Sequence, residues 1–166
     1  MVKKYTSEGI PILKKGILET FIRDMSVRKE EGTIQDYQDE IVERIRKSNA
    51  SIVLHLAAKT SVDGCEKDRR QDIRILGYKD IKKREREWRD EKTAWGVNVY
   101  GTKNIVEACE KSNKKLIYIS TDFVFDGRKE TYDEADVPNP INWYGKTKYE
   151  GEEIVKRSSI PMLIVR

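Results

Sequence analysis

Tyr144 and Lys148 stand four residues apart in the run Trp143-Tyr-Gly-Lys-Thr-Lys148. On a helix that spacing places both side chains on one face, about one turn apart. An ammonium group beside a phenol favours the phenolate, which suits the phenol to acid/base catalysis. Alone the pair is a weak signal, because helices carry many Tyr/Lys pairs, so its surroundings decide. Upstream lies Ile119-Ser-Thr-Asp-Phe-Val-Phe-Asp-Gly127. It reads as a strand ending in hydroxyl residues, the place where open α/β sheets bind ligands. Thr121 there either faces a ligand or caps the next turn.

The elements that must position these residues follow from hydrophobic periodicity. Ile34, Tyr37, Ile41, Val42 and Ile45 form one stripe of an amphipathic helix from Ile34 to Lys47, with Thr33 as its N-cap. Ser51-Ile-Val-Leu-His-Leu56 is a short apolar run suited to a buried strand, followed by the small Ala57-Ala58. A helix carries Val97, Ile105, Val106 and Ala108 and ends near Lys111, and Lys115-Leu-Ile-Tyr-Ile-Ser120 is a second strand. A turn-rich stretch with Asp126-Gly127, Pro138 and Pro140 leads to a helix from about Asn142. That helix carries Tyr144, Lys148, Glu152 and Val155, and Pro161-Met-Leu-Ile-Val165 is the last strand. This alternation predicts an α/β fold with a parallel sheet and covering helices.

Residues 65–95 fit that rhythm less well. Lys, Arg, Asp and Glu dominate them, and Ile81, Trp88 and Trp95 recur every seven residues, with Ile73 and Leu76 upstream. The spacing predicts one long, solvated helical insertion with a narrow apolar seam, laid on the domain, forming a dimer contact or, third, touching nucleic acid. Asp63 and Glu66 read as solvated surface.

Composition limits the classes. The 166 residues suggest one domain spanning 1–166, with an atypical segment at 1–31. No apolar run is long enough for a membrane span, and no signal peptide is expected. The 33 basic and 29 acidic residues are interleaved, so the net charge of +4 does not suggest nucleic acid binding. Cys65 and Cys109 read as free thiols in a reducing cytoplasm, and the one histidine, His55, sits in an apolar run. No metal site is expected.

The strings Ile119-Ser-Thr-Asp-Phe-Val-Phe-Asp-Gly127 and Asp136-Val-Pro-Asn-Pro-Ile-Asn-Trp-Tyr-Gly-Lys-Thr-Lys-Tyr-Glu-Gly-Glu152 resemble the extended short-chain dehydrogenase/reductases. So do His55-Leu-Ala-Ala-Lys-Thr-Ser-Val-Asp63 and Asn98-Val-Tyr-Gly-Thr102. Within that branch the pattern is most similar to the dTDP-4-dehydrorhamnose reductases, from about Gly32 to Arg166. The resemblance implies a Rossmann-like, three-layer α/β/α domain that uses NADPH or NADH to reduce a nucleotide-linked 4-keto-6-deoxy sugar in dTDP-rhamnose biosynthesis. Thr121 would hydrogen-bond the substrate carbonyl, Tyr144 would give it a proton, and Lys148 would hold the nicotinamide ribose. The implied cofactor contacts are Ala57, Ala58, Thr60 and Ser120 together with Tyr144 and Lys148. Asn98 would tie its helix to neighbouring backbone. Homodimerisation through the helices bearing Asn98 and Tyr144 is also implied.

Two departures qualify the resemblance. The glycine-rich turn that lets backbone N–H groups approach a pyrophosphate is not evident in residues 1–31, where Lys14 and Lys15 precede Gly16. The domain is therefore expected to be incomplete or degenerate at its N-terminus. The sequence ends at Arg166, where the family continues into a substrate-binding lobe. Binding contacts remote from the reacting carbon position it, so low or absent activity of this chain is expected. The alternative is a non-catalytic regulatory or interaction subunit descended from such a reductase, like the relative that regulates a methionine adenosyltransferase.

Overall fold

The computed structural model describes residues 34–90 and 92–166. The atypical segment and the Thr33 cap lie outside the described residues. Helix α1 (Ile34–Lys47) leads to strand β1 (Ile52–His55). Helices α2 (Val62–Leu76) and α3 (Ile81–Asp90) follow, then a π-helical turn (Gly96–Tyr100) that runs into α4 (Gly101–Lys111). Strand β2 (Lys115–Ile119), a 3₁₀ turn (Asp122–Val124), α5 (Trp143–Lys156) and β3 (Met162–Val165) complete the order.

The three strands form one parallel sheet in the order β1-β2-β3. His55 pairs with Tyr118, and Tyr118 with Ile164, so their side chains share a face. Parallel crossovers are right-handed, and both here step the same way along the sheet. They therefore place α4 and α5 on the same face, where His55 meets Thr102 of α4 and Tyr118 meets Gly151 of α5. Val53, His55, Leu116 and Tyr118 are buried there, whereas Leu163 and Val165 are exposed. Two layers of the expected Rossmann-like arrangement are thus formed by the described residues. The strand and helix positions read from periodicity agree closely with these elements.

The charged segment differs from its expectation. It is two helices, broken where α2 ends at Gly77 and where Asp80 Oδ1 accepts from Lys83 N to start α3. Ser61 caps α2 by accepting from Gly64 N. The seven-residue seam is also divided. Ile73 and Ile81 face solvent, but Trp88 is buried against Tyr100, and Trp95 joins Trp88 to Trp143. Burying large aromatic surface outweighs the high local charge, so these helices pack as part of the core. No helix among the described residues is long and apolar enough to cross a membrane.

Candidate active site

Tyr144 occupies the first turn of α5 because Asn142 ends the preceding loop as an N-cap. Its side chain accepts from Gly145 N at 2.8 Å. Tyr144 is buried, and the Phe123 ring meets it edge-on with centroids 5.7 Å apart. The 3₁₀ turn lies hard against this first helical turn. A Cβ on Gly145 would stand 2.1 Å from Phe123 O, so only glycine permits the approach. Deeper in the helix, a Cβ on Gly151 would lie 2.4 Å from Tyr118 Oη, which holds α5 close to β2.

Lys148 is also buried, one turn below Tyr144. Its Nζ donates to Ile119 O at 2.6 Å, at the carboxyl end of β2, and lies 4.2 Å from the Tyr118 ring centroid. Burial pushes its pKa down to about 8, while the nearby Glu152 charge pulls the other way. The ammonium is therefore available near neutral pH and titrates only slightly above it.

Beneath the pair runs a buried polar network. Asn98, inside the π-helical turn, accepts from Lys59 N at 2.7 Å. Its Nδ2 donates to Lys59 O at 3.0 Å and to Thr147 Oγ1 at 2.9 Å. Thr147 in turn donates to Tyr144 O at 2.9 Å. One asparagine thus joins the loop after β1 to the helix carrying Tyr144, and π-helical turns recur at such functional positions. Thr102 Oγ1 donates to Asn98 O at 2.7 Å, which leaves it to accept from His55 Nε2 at 3.0 Å. That assigns the His55 proton to Nε2 and leaves Nδ1 buried without a partner. Burial, helped by the Lys148 charge, drives the His55 pKa down to about 3. His55 is a neutral core residue.

The other expected residues lie around this centre. Half-buried Ala57 and Ala58 follow the carboxyl end of β1, while Thr60 is exposed. Ser120 follows β2; its hydroxyl is buried without a well-formed hydrogen bond. Thr121 caps the 3₁₀ turn: its Oγ1 accepts from Phe123 N at 3.3 Å and donates to Asp122 at 3.1 Å. The capping alternative is therefore the one adopted, although the exposed Asp122 is a replaceable partner.

Sequence reasoning missed the supports contributed by α2. Glu66 is not merely solvated, because its carboxylate accepts from Trp143 N at 3.0 Å. Asp72 is fully buried and accepts from Trp143 Nε1 at 2.8 Å and from Trp95 N at 3.1 Å. Burial pushes the Asp72 carboxyl pKa up despite these bonds. Hydrophobic periodicity could not reveal either residue, since both sit in a run where acids are common. Among the described residues no His, Cys, Asp or Glu cluster could hold a metal ion.

Comparison with known proteins places this geometry. A family model described as the RmlD substrate binding domain matches residues 22–166. Over 130 residues, 78% of the chain, the sequence is 30% identical to the dTDP-4-dehydrorhamnose reductase of Aggregatibacter actinomycetemcomitans, covering 37% of that protein. Over 70 residues, 42% of the chain, it is 43% identical to methionine adenosyltransferase 2 subunit beta of Bos taurus, covering 21% of it. The crystal structure of dTDP-4-dehydrorhamnose reductase from Bacillus anthracis in complex with NADP is similar at a TM-score of 0.58 and 36% identity. That match covers 80% of this chain and 38% of the other. The chain spans between about a fifth and two fifths of the length of these relatives.

Proposed function

The chain belongs to the RmlD substrate binding domain family, and on that footing we propose that it serves the NAD(P)H-dependent reduction of a nucleotide-linked 4-keto-6-deoxy sugar, as in dTDP-rhamnose biosynthesis. The observation that carries this reading is the placement of Tyr144 and Lys148 at the carboxyl end of β2. Gly145 clamps the Thr121 turn against them. Brought beside the substrate carbonyl, the Tyr144 hydroxyl donates its proton to that oxygen. Thr121, released from Asp122, donates a hydrogen bond to the same oxygen and holds it in line. Lys148 stays protonated below about pH 8 and stabilises the phenolate left behind. Buried Trp143, Tyr144 and Ala94 limit water access on the α2 side.

The residues present suit the nicotinamide end of a dinucleotide. Small Ala57 and Ala58 leave room after β1, and Ser120 offers a buried hydroxyl without a well-formed bond after β2. With Thr60, Tyr144 and Lys148 they would hold a cofactor that, when bound, supplies hydride. The NADP complex of the Bacillus anthracis reductase supports the same choice. The buried thiols of Cys65 and Cys109 accord with a reducing cytoplasm.

A second reading is favoured by the 43% identity to the methionine adenosyltransferase subunit. On that reading the fold persists as a regulatory or interaction subunit, and the Tyr144 site is inherited without turnover. Nicotinamide fluorescence during titration with NADPH and NADH separates the two. Saturable binding supports the reductase reading, whereas no binding up to millimolar cofactor would reject it for this chain.

A further inference from the structure

Trp143 precedes Tyr144 and opens α5, and helix α2 holds it at both ends. The first N–H groups of a helix have no partner within it. Glu66 Oε2, 77 residues earlier, accepts from Trp143 N at 3.0 Å. An acid there also suits the positive end of the helix. At the tip of the side chain, Asp72 Oδ2 accepts from the indole Nε1 at 2.8 Å. The same oxygen accepts from Trp95 N at 3.1 Å, at the start of the helical stretch bearing Asn98. The Trp95 ring lies against the indole with centroids 5.7 Å apart, and the Arg69 guanidinium lies 5.7 Å from it. Arg69 in turn donates to the second Glu66 oxygen at 2.8 Å. Resting on the reductase reading, we propose that Glu66 and Asp72 are positioning residues that act through Trp143 to set where the Tyr144 hydroxyl stands.

Core packing alone does not call for this arrangement. Asp72 is fully buried, and the neighbouring charge that acts on it, Asp68, is also negative. Its Oδ1 faces Thr93 without a well-formed bond, so N–H groups on Oδ2 are its main support. Burying a carboxylate in this way is costly, and an apolar pair would fill the same space without it. What the acid supplies and an apolar side chain does not is direction. One acceptor at the main-chain N and another at Nε1 fix both the entry and the rotation of the first turn of α5. Tyr144 is the next residue, so it moves with that turn. Cys65 of α2 packs in one buried cluster with Ala94, Trp143 and Tyr144, which brings α2 up to the phenol itself. A displacement of about 1 Å at a reacting group can cost about 100-fold in rate, so small errors at Trp143 matter at Tyr144.

The test compares Asp72→Leu with Asp72→Asn in the full chain. Asparagine keeps one oxygen for both N–H groups, whereas leucine keeps the bulk and offers no acceptor. NMR cross-peaks between the Tyr144 and Phe123 rings, which meet at 5.7 Å, report the placement of Tyr144 without cofactor. Steady-state rates with NADPH and a dTDP-linked 4-keto-6-deoxy sugar report turnover. In Asp72→Leu the cross-peaks should weaken and kcat should fall by about 10-fold or more, with KM and NADPH affinity nearly unchanged. Asp72→Asn should return both cross-peaks and kcat close to wild type. Wild-type cross-peaks in Asp72→Leu, or a kcat in Asp72→Asn as low as in Asp72→Leu, would overturn the proposal. So would KM and NADPH affinity worsening in step with kcat, which would mark a purely structural support. Should Asp72→Leu not fold, the exposed Glu66 decides. Glu66→Ala should weaken the same cross-peaks and Glu66→Gln should keep them, and cross-peaks unmoved in Glu66→Ala would overturn the proposal. Absence of turnover in the wild type would reject the reductase reading, while this inference stands or falls on the ring contacts.

Discussion

Replacing Gly145 by alanine tests how the site is assembled. The new Cβ would lie 2.1 Å from Phe123 O, 2.9 Å from Phe123 C and 3.1 Å from Pro140 Cβ. Ordinary contact begins near 3.4 Å, so the 3₁₀ turn and α5 must separate by about 1.3 Å (3.4 − 2.1). The obstructing atom is a backbone carbonyl, which cannot move aside by changing rotamer. Overpacking of this kind costs about 1–3 kcal/mol or more. Alanine in place of glycine within a helix returns about 1 kcal/mol, so the net destabilisation is about 0–2 kcal/mol, and a clash with backbone at 2.1 Å puts this site at about 2 kcal/mol. Gly101→Ala is the matched control. Its Cβ would meet only Gly96 O at 3.7 Å, an ordinary contact, so it should stabilise by up to about 1 kcal/mol. Urea midpoints at constant m-value should therefore move in opposite directions for the two variants. Folded Gly145→Ala should also lose about 100-fold in turnover, because Thr121 shifts with its turn. If Gly145→Ala proved as stable as Gly101→Ala, the claimed close approach of turn and helix would be refuted.

Two further perturbations address the buried network. Asn98→Ala removes both bonds to Lys59 and the one to Thr147. It should destabilise by about 3 kcal/mol in urea unfolding, since buried partners lose their bonds; a change under about 1 kcal/mol would contradict the linking role. His55 has a folded pKa of about 3, far below its unfolded value of about 6.5. The unfolded chain therefore binds the extra proton between those values, and its contribution to stability is lost as pH falls through that window. By pH 5 the loss should reach about 2 kcal/mol. A folded His55→Asn variant should lack that part of the acid dependence in thermal melts at pH 7 and 5, and an unchanged dependence would reject the assignment.

Much of the site is legible in the sequence because its parts are local. The four-residue spacing of Tyr144 and Lys148 needs only a helix, and Asn142 as N-cap starts that helix where periodicity predicts it. The strands around Leu54 and Ile117 are legible as short apolar runs between breakers. What a linear pattern does not carry is pairing across distance. Nothing local marks Asp72 as a buried acid in a charged run, bonded to Trp143 71 residues later. Nor does it show that Trp88 and Trp95 turn inward while Ile73 and Ile81 turn outward. A heptad-like spacing fits one long helix only while Gly77 and Asp80 are ignored as stop and start signals. Thr121 is ambiguous for a similar reason, because a strand-end hydroxyl serves a turn and a ligand equally well.

The most direct measurement is the rate of NADPH oxidation by a dTDP-linked 4-keto-6-deoxy sugar, compared between the wild-type chain and Tyr144→Phe at cofactor concentrations where both bind. The account predicts measurable turnover in the wild type, unchanged cofactor affinity in the variant, and a rate reduced by about 100-fold or more through loss of the proton donor. Equal rates in the two proteins would contradict the assignment of Tyr144.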